Sequence, residues 1–257
     1  MRSDLESARH ALAYVMRSAF RDRRQLRFDL RALGKVLLDS EFEATCPIRP
    51  LPSAWLDALL GHEVVLPPSN LFEPGNQDRA GLSFLVSVAA WLDASEIFEI
   101  GTYNGLTAYT LARNLPNAIV HTLDLPSDQL PDLPLFTGDQ LHIRDRDTRV
   151  YERLPLGGRI RQLEGDSGTF DFTPYRRRCA LVYVDGAHST EYVLSDSENA
   201  LAIAAERGAI VWDDFSRGMR GVTTALCRLA DELPLYRVPE TRLVVHLTSA
   251  VQSDLGG

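Results

Sequence analysis

The sequence is poor in lysine and cysteine, and each shortage narrows the classes of protein that it fits. Lys35 is the only lysine, so the 27 basic residues are almost all arginine. The three cysteines, Cys46, Cys179 and Cys227, are odd in number, widely spaced and set among apolar residues. We therefore expect reduced core thiols in a cytoplasmic protein, with neither a disulfide framework nor a zinc site.

Long apolar runs and an excess of positive charge are also missing. No stretch approaches the length of a bilayer span, and we expect no cleavable signal at the N-terminus. The net charge is −8, from 35 acidic and 27 basic residues. Because an acidic chain repels phosphate backbones, we expect neither a nucleic-acid partner nor a membrane partner. The sequence also lacks a Gly-x-Ser-x-Gly elbow and a P-loop.

Alternating strand and helix patterns begin near residue 78 and predict a parallel sheet with helices on both faces. The predicted strands are 96–101, 118–124, 159–163, 180–185 and 209–213, followed by an antiparallel hairpin of 235–238 and 242–247. The predicted helices are 78–92, 105–114, 189–206 and 219–232. The expected fold class is therefore α/β, with a doubly wound, mostly parallel seven-stranded sheet and an antiparallel C-terminal hairpin.

Three segments fall outside this alternation. Residues 1–40 have helical periodicity and are locally basic, which favours a solvated helix face that packs on the main domain or on a second copy. A membrane or nucleic-acid surface is the alternative. Residues 45–78 are rich in proline, so we predict a helical extension with its connector at 1–75 and the main domain at 76–257. The long connection 125–157 is either a lid or a disordered loop.

The stretch Ile97–Thr107 is the most informative in the chain. Its apolar run stops at Gly101, and Gly105 opens an amphipathic helix. Backbone N–H groups in such a turn can approach a polar ligand with no Cβ in the way. The Gly-x-x-x-Gly spacing makes pyrophosphate the weaker interpretation, and a glycine-rich turn without any ligand is the alternative. The next strand ends at Asp124, where folds of this kind hold a ribose diol.

Polar residues also follow the third, fourth and fifth predicted strands. Asp166-Ser167 follows the third strand and either faces the ligand crevice or caps a turn. Asp185 ends the fourth strand and Asp213-Asp214 ends the fifth, so the three carboxylates should converge. Such close charges repel unless they are protonated or neutralised, and a hard divalent cation such as Mg²⁺ binds oxygen ligands alone. The alternative is that one aspartate caps a helix and another binds a cofactor.

His188 follows Asp185 by three residues. Imidazole titrates near neutral pH and can accept a proton from a hydroxyl group, so His188 is a candidate general base. The alternative is a histidine at a helix start that makes a structural hydrogen bond.

The segment Glu99-Ile-Gly-Thr-Tyr-Asn-Gly-Leu-Thr107 resembles motif I of class I S-adenosylmethionine (SAM)-dependent methyltransferases, most closely in their O-methyltransferase branch. The resemblance extends over about Asn76–Leu247 and implies a Rossmann-like methyltransferase fold that binds SAM. The cofactor-binding residues that it implies are Glu99, Gly101, Thr102, Tyr103, Asn104, Gly105, Thr107, Asp124, Asp166, Ser167 and Asp185.

The later motifs are similar to those of metal-dependent O-methyltransferases that act on sugars and other natural-product hydroxyls. Those enzymes have Asp-Gly-x-His after the fourth strand and an acidic pair after the fifth. The resemblance implies Asp185, Asp213 and Asp214 as ligands of Mg²⁺ or another divalent cation, and His188 as the general base. Catechol-type relatives have lysine where this chain has His188, and its only lysine is Lys35.

We therefore expect a SAM-dependent O-methyltransferase, assisted by a divalent metal, that acts on a hydroxyl of a small molecule such as a sugar, a phenol or a natural product. The oligomeric state stays open, and a homo-oligomer through the N-terminal helices is one alternative. Two alternatives stay open. One is a metal-independent methyltransferase acting on another atom. A similar acidic group occurs in cephalosporin-hydroxylase-like relatives, whose chemistry the sequence does not distinguish. The other is a non-catalytic SAM-binding module.

Overall fold

The computed structural model describes residues 46–135, 139, 149–153, 156 and 158–256. The chain divides into two compact units, Met1–Pro47 and Ile48–Gly257. The predicted N-terminal helices lie outside the described residues, as do residues 136–138, 140–148, 154–155 and 157 of the connection 125–157. The sheet and the candidate site belong to the second unit.

One mixed sheet organises the second unit. Its strands are β1 (Arg49–Pro50), β2 (Glu96–Ile100), β3 (Ile119–Asp124), β4 (Ile160–Glu164), β5 (Cys179–Val184), β6 (Ala204–Trp212), β7 (Tyr236–Arg237) and β8 (Val244–Leu247). Their order is β1-β7-β8-β6-β5-β2-β3-β4. Strand β8 runs antiparallel to β6 and β7, and the other neighbouring pairs are parallel. The predicted α/β class and the antiparallel hairpin are confirmed, with β1 as an eighth strand.

Helices cover both faces of the sheet. They are α1 (Ser53–Leu59), α2 (Arg79–Trp91), α3 (Leu106–Asn114), α4 (Thr190–Ile203), α5 (Arg220–Leu229) and α6 (Ser249–Asp254). The side chain of Asp78 caps α2 by accepting from Gly81 N, and Ser189 caps α4 by accepting from Tyr192 N. Within the described part of the chain, no helix is long and apolar enough to cross a membrane.

The core lies on the two faces of the central strands. On one face, Ile97, Leu181 and Val245 are fully buried and pack in a cluster with residues of α1, α2, α3 and α6. On the other face, the indole of Trp212 donates a 2.9 Å hydrogen bond to Ser197 of α4. Strands buried on both faces read as continuous apolar runs, which explains why β2 and β5 were recognisable in the sequence.

The domain boundary differs from the one expected after residue 75. Leu51 N donates a 2.8 Å hydrogen bond to Arg237 O next to the β1–β7 pair, and the Trp55 ring packs edge-on against Tyr236. These contacts join residues 48–75 to the sheet, so the compact unit begins at Ile48. Helix α4 also ends earlier than predicted, because Ala204 pairs with Cys179 as the start of β6.

Candidate active site

A cavity of about 220 Å³ lies at the carboxyl ends of the central strands. Ligands bind in this position in doubly wound sheets. The predicted site residues that line it are Gly101, Tyr103, Asp124, Asp166, Ser167, Asp185, His188 and Asp214. The predicted site residues outside its lining are Glu99, Thr102, Asn104, Gly105, Thr107 and Asp213.

Other segments of the chain pack closely against the two glycines of the turn after β2. Gly101 has φ +97°, and a Cβ there would lie 1.9 Å from the carbonyl oxygen of Asp185. Gly105 has φ +77°, and a Cβ there would lie 2.4 Å from the Tyr151 ring. From the sequence we expected both glycines to let a ligand approach the backbone, and this stays a prediction. The structure shows a second reason for the glycines, which is the close packing of this turn against two other segments.

Glu99 lies inside the sheet beneath this turn. Its side chain is 1% exposed and accepts a hydrogen bond from the hydroxyl of Thr122, which lies 2.7 Å from the hydroxyl of Thr102. Burial raises the pKa of Glu99 to about 8, against the opposing effect of the Thr122 bond. Glu99 is therefore largely protonated at neutral pH, and it is linked to Thr102 of the turn through the hydroxyl of Thr122.

The described end of the long connection packs on the same turn. Val150 N donates a 2.8 Å hydrogen bond to Asn104 O, and the Tyr151 hydroxyl donates to Gln162 of β4. Arg149 lies 3.9 Å from the carboxylate of Asp124 at the end of β3. Residues 149–153 are therefore attached to the domain. The predicted lid behaviour of the connection 125–157 stays a prediction, and 136–138, 140–148, 154–155 and 157 lie outside the described residues.

Asp166 organises the loop after β4. Its two carboxylate oxygens accept hydrogen bonds from Gly168 N at 2.8 Å, from Asp132 N at 2.6 Å and from the Tyr192 hydroxyl at 2.8 and 2.9 Å. The residue is 2% exposed. The sequence motifs did not identify Tyr192, which reaches Asp166 from α4. Asp166 thus builds the wall of the cavity through bonds to the protein.

This side of the cavity suits a nucleoside. Asp124 at the end of β3 and Ser167 after β4 supply a carboxylate and a hydroxyl, which are partners for ribose and base polar groups. Ile100, Leu123 and Leu125 line the cavity between them with apolar surface. A few polar groups on an apolar wall are typical of cofactor pockets. The residues present therefore fit the adenosine part of SAM.

The acids after β5 and β6 share one hydroxyl donor. The Tyr183 hydroxyl lies 2.9 Å from Asp185 Oδ2 and 3.2 Å from Asp213 Oδ2, and it accepts from Gln77 Nε2. One hydroxyl proton can serve only one carboxylate at a time. Burial and the neighbouring acids raise the pKa of Asp185 well above its usual range and also raise that of Asp213. Asp213 Oδ1 accepts from Asp214 N at 2.6 Å, so both oxygens of Asp213 are engaged within the protein.

Asp214 faces the cavity from a left-handed backbone conformation, with φ 59°. Its Oδ2 lies 2.7 Å from His188 Nε2, and its Oδ1 lies 2.6 Å from an Arg242 guanidinium nitrogen. Burial opposes ionisation, but the His188 bond and the Arg242 charge lower the pKa of Asp214. Arg242 also lines the cavity, from the loop between β7 and β8, and no sequence motif identified it.

His188 is held between two carboxylates. Its Nδ1 lies 2.5 Å from Asp139 Oδ1 and its Nε2 lies 2.7 Å from Asp214 Oδ2. Burial opposes the charged ring, but the hydrogen bonds to Asp139 and Asp214 raise the pKa of His188 to about 10. The ring therefore carries a proton on both nitrogens and cannot accept another in this arrangement. Asp139 belongs to the long connection, and the sequence analysis missed it.

Three residues can bring ligand atoms together for a metal ion. Asp185, His188 and Asp214 each offer one atom, and these atoms lie within 4.8 Å of one another. Asp214 Oδ1 is buried and accepts no directed hydrogen bond among the described residues. This donor set fits a divalent cation. This set contains His188 in place of the predicted Asp213. Imidazole suits Zn²⁺ or Fe²⁺ better than Mg²⁺, whereas the two carboxylates also suit Mg²⁺ and Mn²⁺.

The comparisons with known proteins agree with this architecture. A family model described as a methyltransferase domain matches residues 98–215, which extend from β2 past the end of β6. No curated protein resembles the chain in sequence.

Solved structures of methyltransferases are similar to the chain. The methyltransferase PaMTH1 of Podospora anserina, bound to SAH, is 15% identical with a TM-score of 0.53, over 84% of this chain and 94% of that one. The O-methyltransferase TomG of Streptomyces achromogenes, in complex with SAM, is 17% identical with a TM-score of 0.48, over 82% and 96%. The O-methyltransferase of Bacillus cereus, in complex with SAH, is 16% identical with a TM-score of 0.48, over 82% and 97%. The PaMTH1 match shows a Rossmann-like methyltransferase fold.

Proposed function

We propose that the protein transfers a methyl group from SAM to a hydroxyl group of a small molecule, with the help of a divalent cation. One observation carries the proposal. A single cavity is lined on one side by a wall suited to a nucleoside and on the other by Asp185, His188 and Asp214. The family model that matches residues 98–215 supports the methyl-transfer part.

The first side of the cavity would hold the cofactor. SAM supplies a methyl group on a positively charged sulfur, which an oxygen nucleophile attacks in line. Asp124 would accept from the ribose hydroxyls and Ser167 would bond the base, while Ile100 and Leu123, which also line the cavity, would contact the apolar surface of the base. A methyl transfer needs no proton from these residues. Their contribution is to fix the cofactor so that donor and acceptor meet in the reactive geometry.

The second side would hold and deprotonate the acceptor. A bound divalent cation supplies positive charge that lowers the pKa of a substrate hydroxyl. Asp185 and Asp214 are the carboxylates that would hold it, because both line the cavity, whereas Asp213 lies outside the lining and accepts from Asp214 N. Asp139 accepts from the Nδ1–H of His188 and fixes the ring. If Asp214 were paired with another cation, the Nε2–H of His188 would lose its acceptor, so that this proton would leave to solvent and Nε2 would then accept the proton of the substrate hydroxyl.

The deciding experiment measures methyl transfer from labelled SAM to a panel of sugars, phenols and other hydroxylated acceptors. We expect turnover with Mg²⁺ or Mn²⁺ and its loss in EDTA. His188→Ala should lower the rate by about 10²–10⁴-fold, as the loss of a general base does. His62→Ala is the matched control, because His62 is exposed and outside the cavity lining.

Separate outcomes test separate parts of the proposal. Full turnover in EDTA would remove the cation from the mechanism. If His188→Ala lost cation binding as well as turnover, the histidine would be a ligand and not the base. SAM binding without transfer to any acceptor would support a non-catalytic SAM-binding module.

A methyltransferase without a metal is the second candidate. It is favoured by the ion pairs that Asp214 already makes with Arg242 and His188. Two positive side chains can neutralise part of the acidic group and polarise an acceptor without an added cation. Turnover that is unaffected by EDTA would favour this candidate.

A further inference from the structure

We propose that Arg242 is a built-in counter-cation of the acidic site and competes with the divalent cation for Asp214. The inference rests on the proposed function, because it assumes that a cation binds there. It assigns a role to a residue that neither the motifs nor the mechanism above requires.

The backbone places Arg242 beside the acids. Its carbonyl oxygen accepts a 2.9 Å hydrogen bond from Phe215 N, the residue directly after Asp214. This bond joins the loop between β7 and β8 to the end of β6. From there, one guanidinium nitrogen lies 2.6 Å from Asp214 Oδ1 and another lies 3.6 Å from Asp213 Oδ2. The positive charge of Arg242 therefore lies next to Asp214, the carboxylate that a divalent cation would also bind.

The ion pair between Arg242 and Asp214 is close, but a divalent cation can replace Arg242 in it. Asp214 Oδ1 accepts no directed hydrogen bond among the described residues, although the Arg242 nitrogen is 2.6 Å away. The Arg242 side chain is 42% exposed and lines the cavity. Aligned, bidentate arginine–carboxylate pairs are the strong ones, and this pair is neither aligned nor fully buried. The guanidinium can turn into the cavity without losing a directed bond to any residue that the structure describes.

The balance of charge sets the direction of the effect. Four carboxylates, those of Asp139, Asp185, Asp213 and Asp214, surround this corner of the cavity. The positive side chains that contact them are His188 and Arg242. Removing Arg242 makes the corner more negative and leaves Asp214 Oδ1 open. The affinity for a divalent cation should therefore rise when Arg242 is neutralised.

The test measures Mn²⁺ binding to the full chain by electron paramagnetic resonance, without SAM or acceptor. We expect Arg242→Gln to bind Mn²⁺ about tenfold more tightly than the wild type, since a nearby charge of the same sign as the ligand is removed. Arg217→Gln is the matched control. Arg217 is exposed, lies three residues after Asp214 and makes no ion pair with these acids in the described part of the chain. It should change the affinity by less than about threefold, because water screens exposed charges.

A second measurement covers the case in which Arg242→Gln does not fold. In the NMR spectrum of the wild type, saturating Mg²⁺ should shift the Nε–H resonance of Arg242. This resonance is identified by its absence from the spectrum of Arg242→Lys. Arg242→Lys keeps the charge and should bind Mn²⁺ with nearly the wild-type affinity.

The outcomes separate this inference from the proposed function. Equal or weaker Mn²⁺ binding by Arg242→Gln, or an unmoved Arg242 resonance, overturns the inference while cation-assisted transfer stands. Mn²⁺ binding by Arg242→Gln alone supports the inference and removes the cation from the wild-type mechanism. If neither protein binds Mn²⁺, the inference and the cation both fail, while methyl transfer in EDTA still tests the rest of the proposed function.

Discussion

The two walls of the cavity differ in how their polar groups are satisfied. On the cofactor wall, formed by the loops after β2, β3 and β4, Asp166 accepts from two backbone N–H groups and from Tyr192. On the acidic wall, formed by the loops after β5, β6 and β7, Asp185 and Asp213 share one hydroxyl proton, and Asp214 Oδ1 has no directed donor among the described residues.

This difference shows which buried carboxylates have their hydrogen-bond donors before a ligand binds. Buried polar groups with all their hydrogen bonds made keep the surrounding loops in a fixed conformation. Buried carboxylates without enough donors reduce the stability of the fold until a cation or a proton neutralises them. Asp166 therefore holds its part of the cofactor wall in a fixed shape, and the acidic wall is the part that ligands complete. Mutations should destabilise the protein on the first wall and change its affinity for cations on the second.

The largest effect should come from Gly101→Ala. An added Cβ would meet the carbonyl of Asp185 at 1.9 Å in a left-handed conformation, so we expect a loss of about 3–6 kcal/mol in the free energy of unfolding. Gly158→Ala is the control, since Gly158 has φ +69° with nothing within 4 Å and should lose about 1 kcal/mol. Urea unfolding measures both. Equal losses would contradict the packing role of Gly101.

A smaller effect on the free energy of unfolding, which depends on pH, should distinguish the wild type from Glu99→Gln. Burial raises the pKa of Glu99 from its usual 4.5 to about 8, so the folded protein keeps a proton that the unfolded chain releases. The stability from this proton is complete below about pH 4.5 and is lost as the pH rises through about 8. Between pH 5 and 8 the wild type should lose about 2–4 kcal/mol more than Glu99→Gln. Parallel pH profiles of the two proteins would show that Glu99 is ionised when folded.

The smallest of these effects should come from Asp166→Asn. The amide offers fewer acceptors to Gly168 N, Asp132 N and Tyr192, so the protein without cofactor should lose about 1–3 kcal/mol of stability. Tyr192→Phe removes one donor and should lose about 1 kcal/mol. Thermal melts and SAM calorimetry measure both variants. If Asp166→Asn lost SAM affinity with unchanged stability, the carboxylate would be an adenine contact and the cofactor wall less complete than described.

The fold was predictable where single segments carry strong local signals. Strands β2 and β5 are apolar runs buried on both faces, and Asp78 and Ser189 mark the starts of α2 and α4. Strand β1 was not predictable, because two residues become a strand only through pairing with β7, far away in the sequence. The same holds for the early start of β6.

The site was predictable as a set of loops but not as a set of contacts. The motifs indicated that Asp185, Asp213 and Asp214 would meet, and Asp185 and Asp214 do face the cavity. The orientation of Asp213 depends on its bonds to Tyr183 and to the backbone of Asp214. No sequence spacing encodes these bonds. Arg242 and Asp139 come from segments whose position depends on the whole fold.

The contact between Gly101 and the Asp185 loop joins the two walls. Asp185 N donates a 2.8 Å hydrogen bond to Ile100 O, and no side chain separates Gly101 from the Asp185 carbonyl. A ligand that moved one turn would also move the other, and the binding of a cofactor and of a cation would then be thermodynamically linked. If SAM tightens cation binding by some factor, the cation tightens SAM binding by the same factor, whichever ligand arrives first. Cooperativity between cofactor and cation would thus originate at a single glycine.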